Sequence, residues 1–487
     1  MGRGRGRGRV WRGGGGDLVR LGWVGGVVAC ALAGCTLITE KAIGVKVGVG
    51  GASIDTGADT DLPGDSASNA DTGGDTGPDS GSDTDTDAPV TYTGEAAGDV
   101  AGCAVAGAGD VNGDGYDDVL VGAFRNDDGG LDAGAAYVVL GTAHPADAGL
   151  SASVEYYGVA AGDAAGISVA GAGDVNGDGY DDMLVGGYTV NAYLVLGSAT
   201  PASSSLSDAV PLATHGQAAA VAPAGDVNGD GFYDMLVAGG SDAYLVLGSA
   251  SPTSESLSDG ITYSGAASSV ADAGDVDGDG VLDAWIGNAA NSDAASSAGA
   301  AFLVLGSSSP ASSSLSSAVE YRGEAANDEA GYAVSGAGDA NGDGYADMLV
   351  GAIWNDDAGD DAGAAYLVLG GASPASSGLS SAVRYTGAAG SWAGYSISPT
   401  GDMDGDGFDD ALVSAAQSEG GGIAGAWLVP GNAAPASASL ADTPLVYSGA
   451  SNAVSAAGDV NKDGRPDAVV GNGYDGAGVY LILGIGL

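Results

Sequence analysis

The chain has little positive charge: 13 Lys and Arg stand against 63 Asp and Glu in 487 residues, a formal charge of −50. Six of the 13 lie before position 21, so the body that follows is almost purely anionic. Such a surface repels nucleic acid and anionic lipid, which excludes nucleic-acid binding, and it needs cations as ligands or counter-ions. Cysteine is scarce too. Cys30 and Cys35 fall in an N-terminal apolar run, leaving only Cys103 in the body, so no disulfide framework exists and Cys103 reads as a small buried apolar residue. The two histidines, His144 and His215, sit in Ser/Ala/Pro-rich connectors, where a surface position is expected. With no triad, acid–base pair or zinc set to assemble, the sequence reads as non-enzymatic. "GNGYDG" from Gly471 formally fits a dinucleotide fingerprint, but a strand follows it instead of a helix.

The N-terminus reads as an address. "MGRGRGRGRVWR" is positively charged, and the apolar run from Leu21 to Cys35 is too short and Gly-rich for a comfortable membrane span. Its end, Leu32-Ala33-Gly34-Cys35, resembles the lipobox of bacterial lipoproteins. The resemblance implies that residues 1–34 are a removed signal peptide and that Cys35 is lipidated. The protein would then belong to the bacterial cell envelope, attached through its lipid anchor alone, with Thr36 favouring the outer membrane. Ordinary signal cleavage near Ala33 would instead release a secreted protein. Residues 35–89 are an Asp/Thr/Gly-rich tether without aromatic residues or apolar periodicity, expected to be disordered. Its roughly 50 residues would span about 40 Å as a coil.

Beyond the tether one motif returns seven times: "GDVNGDGYDD" at Gly109 and Gly173, then variants at Gly225, Gly274, Gly338, Gly401 and Gly458. Each copy leads into a short aliphatic run such as "DVLVGA" or "DMLVGG", then a variable loop, then a second run such as "AAYVVLG". Both runs are rich in β-branched or aromatic residues and bounded by Gly, so they read as strands buried on both faces. A Ser-rich connector, a weak strand ending near Tyr-x-Gly and a strand entering the next acidic loop complete the unit. Four strands repeated about every 58 residues give an all-β, seven-bladed β-propeller over 90–487. The chain stops without the Tyr-x-Gly strand of its last blade, and "VTYTG" from Val90 supplies one at the other end. That strand is expected to close the ring.

The acidic loops have the spacing of a Ca²⁺ cage. In the first copy Asp110, Asn112 and Asp114 alternate at positions one, three and five, and Gly115 permits the turn. The Tyr116 carbonyl is available at position seven, and Asp118 closes the cage at position nine. Hard oxygens without His or Cys select Ca²⁺. The further sets are Asp174, Asn176, Asp178, Tyr180, Asp182; Asp226, Asn228, Asp230, Phe232, Asp234; and Asp275, Asp277, Asp279, Val281, Asp283. They continue with Asp339, Asn341, Asp343, Tyr345, Asp347; Asp402, Asp404, Asp406, Phe408, Asp410; and Asp459, Asn461, Asp463, Arg465, Asp467. An EF-hand would need Glu at position twelve, where this chain has Val121 and its aliphatic equivalents.

"GYAVSGAGDANGDGYADMLVGAIW" resembles the FG-GAP repeat of integrin α-subunit propellers and related bacterial proteins, and the likeness extends over about 90–487. The resemblance implies calcium loops on one face of the ring and ligand contact on the other. On that other face "RNDDGGLDAG" from Arg125 and "WNDDAGDDAG" from Trp354 echo each other. Asp127, Asp128, Asp356 and Asp357, with Trp354 exposed beside them, are candidates for gripping a cation, a sugar or a basic segment; the alternative is a solubilising loop. The expected function is a calcium-binding, envelope-anchored adhesion or binding module for a protein or glycan. The alternatives are a lectin, a purely structural envelope protein in which Ca²⁺ only rigidifies the blades, and an enzyme with its site in the central channel.

Overall fold

The computed structural model describes residues 89–487 apart from 97, 189–190, 214–217, 258–259, 417–423, 450, 474–477 and 485–487. The expected signal peptide, the expected tether up to residue 88, Cys35 and His215 lie outside the described residues. Among those described, no helix is long and apolar enough to cross a membrane.

Seven antiparallel sheets surround one axis. Blade 1 runs outward from the axis through Ala104–Gly109, Asp118–Ala123, Ala135–Val139 and Val154–Tyr157. The inner strands of blades 2 to 7 are Ser168–Gly173, Ala218–Gly225, Ser269–Gly274, Val334–Gly338, Ala393–Gly401 and Ala453–Gly458. In blade 1 the second strand is buried along its whole length. Its residues alternate between two neighbours: Val119 and Val121 pack towards blade 7, and Leu120 packs towards blade 2. The hydrophobic core is accordingly divided into seven clusters, one at each joint between blades. Strands that serve two cores at once cannot show the one-sided alternation of an exposed sheet, which is why the aliphatic runs are continuous.

The ring closes as the sequence suggests. Val90–Thr93 pairs antiparallel with the third strand of blade 7, Val90 opposite Leu481 and Thr93 opposite Gly478. Tyr92 is buried at this seam with Leu150 and Leu481.

The Ser-rich connectors do more than join strands. In six blades a two-residue segment of the next connector adds a parallel fifth strand to the outer edge, as Ser204–Ser205 does beside Tyr156 and Tyr157. A Leu follows in a single 3₁₀ turn, and Leu150, Leu206, Leu315, Leu379 and Leu440 are buried there. Just before the short strand, a hydroxyl or carboxylate accepts an outward N–H of the neighbouring edge. Ser203 accepts from Glu155, Ser312 from Thr262, Ser376 from Glu320, Ser437 from Arg384, and Asp147 from Thr91. Edge groups that would otherwise template another chain are thereby capped. Among the described residues, blade 6 has four strands.

Inner strands of all seven blades line a central cavity of ≈ 700 Å³. Asp272 projects among mostly apolar and hydroxyl neighbours, and burial pushes its carboxyl up to about 6, against the Gly274 N–H that favours the charged form. The folded state therefore keeps a proton that the unfolded chain releases near 3.8, so this residue's contribution falls as pH rises between those values. Asp272→Asn, which still accepts from Gly274, is expected to stabilise the protein by about 1–2 kcal/mol at pH 7.5, discounted for the open channel. Urea melts of the two proteins should converge towards pH 4, and equal stability at pH 7.5 would contradict the expectation.

Candidate metal centres and the opposite face

Each acidic loop starts at a β-bulge, where the inner strand gains one residue against its partner. The glycine at that point, Gly109 in blade 1, has φ 72, a left-handed conformation that a side chain would strain. The chain then curls around the first carboxylate. Asp110 Oδ1 accepts from the N–H groups of Gly113 and Asp114 at 2.7 and 3.0 Å, and Oδ2 accepts from Gly115 at 2.7 Å. The bond from position six to the first Asp recurs in all seven loops. So does the bond from position seven to the fifth-position Asp, as Tyr116 N–H to Asp114.

The ninth position is a clasp beneath the loop. Asp118 is fully buried; Oδ2 accepts from Val111 N–H at 3.0 Å and Oδ1 from Gly141 N–H at 2.8 Å, tying the loop to the exit of the third strand. The second of these bonds recurs at Asp182, Asp234, Asp283, Asp347, Asp410 and Asp467. Burial, with the charges of Asp114 and Asp110 adding to it, raises Asp118 to about 7 against the two N–H donors. The other six rise to about 6 or 7, desolvation leading in each.

The donor set fits a hard cation. Asp275, Asp277 and Asp279 bring one oxygen each within 4.8 Å of one another, as do Asp402, Asp404 and Asp406. In the other five loops an Asn holds position three. Asn228 Oδ1, Asn341 Oδ1 and Asp402 Oδ1 are buried to less than 1 Å² and have no hydrogen-bond partner. An oxygen withdrawn from water without a donor is costly, and a bound cation removes that cost. These atoms stand at positions one and three of the motif, where ligands are expected.

The loops are also linked to one another. The Tyr180 ring covers Gly113 of the preceding loop so closely that a Cβ there would meet it at 2.8 Å, and Phe232, Tyr345 and Phe408 cover Gly177, Gly278 and Gly342 likewise. At the seam Lys462 replaces that glycine, places Nζ 4.2 Å from the Tyr116 ring centroid, and donates to Asp114 O at 2.9 Å. Position eight supplies latches: Asp117, Asp181 and Asp409 accept from the backbone N–H of Asp459, Asp110 and Asp339 in the preceding blade at 2.7–2.8 Å. The signal for these latches is the Asp-Asp doublet, present in copies one, two and six alone.

On the opposite face the two echoing loops are built alike. Asn126 Nδ2 donates to the Tyr137 hydroxyl, and Asn355 Nδ2 donates to that of Tyr366. Asp127 accepts from Asp132 N–H, and Asp356 from Asp361 N–H. Asp127, Asp128, Asp356 and Asp357 are exposed. Trp354 corrects the expectation: it is half-buried, edge-on to Trp392 at 4.7 Å between ring centroids, and its indole donates to Glu329 at 3.2 Å. Both rings pack against the core between blades 5 and 6, which pulls Trp354 off the surface. Elsewhere, Cys103 is buried and His144 is exposed, as expected.

Among known families, the sequence model of the FG-GAP-like repeat matches residues 174–237 and 226–286. Each match runs from one acidic loop to the second strand of the next blade, so the sequence repeat is offset from the blade. No curated protein matches the chain. The chain therefore carries FG-GAP-like repeats on a seven-bladed propeller similar to that of integrin α-subunits.

Proposed function

Starting from a propeller of FG-GAP-like repeats, we propose that this protein is a calcium-stabilised, non-enzymatic binding module. It is displayed on a bacterial envelope through Cys35 and presents one face to a protein or glycan ligand. The observation that carries the reading is the contrast between the two faces. Seven loops keep the same internal hydrogen bonds on one face, while the loops of the other differ from blade to blade. Repeated geometry serves construction and divergent geometry serves recognition.

In each loop the side chains at positions one, three and five, the carbonyl at seven and the carboxylate at nine would hold Ca²⁺. The ion would supply charge neutralisation and a rigid centre. The protein's own share is to curl the backbone by N–H bonds to the first Asp and to fix the ninth through its clasp. Asp110, Asp114 and Asp118 already crowd negative charge into one loop, so a cation acts first on stability.

The test is a binding screen of the full chain against glycans and envelope proteins, with calcium and with chelator. Saturable binding that Asp127→Ala or Asp356→Ala weakens supports the reading. Binding to nothing in either condition overturns it.

A further inference from the structure

The central channel is not seven-fold in its chemistry. The last paired residue of each inner strand before the bulge lines it, and six blades place Gly107, Gly171, Pro223, Gly336, Pro399 and Ala456 there, whereas blade 4 places Asp272. One residue earlier the ring divides. Blades 1 to 4 carry Ala106, Ala170, Ala222 and Ala271, and blades 5 to 7 carry Ser335, Ser398 and Ser455. The channel therefore has an alanine wall and a hydroxyl wall, with the Asp272 carboxylate where the two meet.

We propose that the central channel binds a small organic ammonium ion, its charge on Asp272 and its alkyl body along the alanine wall. The cavity of ≈ 700 Å³ has the size of a small-molecule site, and such sites are mostly apolar with a few placed polar groups. Asp272 has an oxygen to offer: Oδ1 accepts from Gly274 N–H at 2.8 Å, and Oδ2 accepts from no described residue. Asp117 and Asp409 line the channel too, but each already accepts a latch N–H from the preceding blade. The described ion pairs lie on Arg322 and Arg384, so no described basic side chain neutralises Asp272. Nor does the fold require it. Six blades form the same bulge without a carboxylate, and Asp272→Asn is expected to stabilise the protein, so the acid is kept at a cost, as binding groups are.

The surroundings select the ligand. Ca²⁺ takes about six to eight oxygens, and a wall of alanines supplies none. Anions are repelled by Asp272, Asp117 and Asp409, which also draw cations towards the channel. A neutral apolar molecule would leave the carboxylate unpaired. A single positive charge with N–H donors and an alkyl body satisfies both walls. Ser398 and Ser455 give their hydroxyl protons to backbone carbonyls at 2.9 Å, so what they present to the channel is acceptor lone pairs.

The site lies on neither face of the ring, so its test is separate from the glycan and envelope-protein screen. n-Hexylammonium is titrated calorimetrically into the full chain, with calcium saturating and at physiological salt, which screens attraction to exposed acids. Saturable binding at one site per chain is expected, stronger than that of 1-hexanol or hexanoate. Asp272→Asn is expected to weaken it about tenfold, the difference between a charge-assisted and a neutral hydrogen bond. A thermal melt of the variant shows that it is folded. Asp208→Asn removes the same charge from an exposed connector and is expected to leave the affinity unchanged. No saturable binding by the wild type overturns the proposal, as does equal binding by Asp272→Asn. Hexanol binding as tightly as hexylammonium overturns it too, because the channel would then be an apolar cavity only.

Discussion

Chelating calcium is expected to lower the melting temperature of the propeller by about 10 °C. A ligand that binds only the folded state stabilises it by RT ln(1 + [L]/Kd), and calcium sites of extracellular modules have dissociation constants on the order of 10⁻⁴–10⁻³ M. At a few millimolar calcium that is about 1.2 kcal/mol per loop, or roughly 8 kcal/mol over seven independent loops. Unfolding entropy of about 2.1 cal/mol/K per residue across the propeller turns this into about 10 °C. The origin is local. Position-nine carboxylates such as Asp118 and Asp467 are buried and raised to about 7 by desolvation first and by neighbouring aspartates after it. Among the described residues the ion pairs lie on Arg322 and Arg384, and none reaches these carboxylates. Scanning calorimetry with calcium and with chelator checks the prediction, and superimposable melts would remove calcium from the structural account.

Most of the fold was legible in the sequence because its determinants are local. A bulge glycine, a curled acidic loop and two short aliphatic strands fit within about 30 residues, and seven repetitions made the ring inescapable. The closing strand was legible by subtraction, since one Tyr-x-Gly strand was missing from one end and present at the other. What stayed hidden depends on contacts between blades. The serines of "PASSSL" look like a flexible linker, yet Ser203 caps the outer edge of a blade whose strand lies 48 residues earlier. The latch at Asp181 reaches back 71 residues to Asp110 N–H, and only the unexplained Asp-Asp doublet hinted at it. Trp354 read as exposed because its loop is acidic, whereas its fate was set by Trp392, which no local pattern pairs with it. Arg384 in "VRYT" looked like an isolated surface cation, and its contacts with Glu324 and Asp357 appeared only when the outer strand of blade 5 was laid against those loops.

Removing the closing strand is expected to convert the closed ring into open or associated forms. Val90–Thr93 satisfies the outer edge of Gly478–Ile482 and places Tyr92 in the core shared by blades 7 and 1. Tyr92→Ala alone should cost about 3–5 kcal/mol, the range for deleting a buried aromatic ring. A chain starting after Gly94 loses the ring contact and the edge pairing together, exposing Val479 and Leu481 beside unpaired backbone groups. Open strand edges of this kind pair between molecules, so light scattering on a sizing column should show more association than the full chain does. A truncated chain of unchanged stability and the same mass in solution, per chain, as the full chain would overturn the expectation. The seam has a second fastening, since Asp117 accepts from Asp459 N–H and Lys462 lies over Tyr116 on the acidic-loop side. On the proposed reading, in which calcium fixes the loop conformation, the strength of this fastening depends on calcium. The point substitution and chelation are thus expected to act on two clasps of one joint, and their combined effect should exceed the sum of the two alone, because either clasp keeps the other's partners in register.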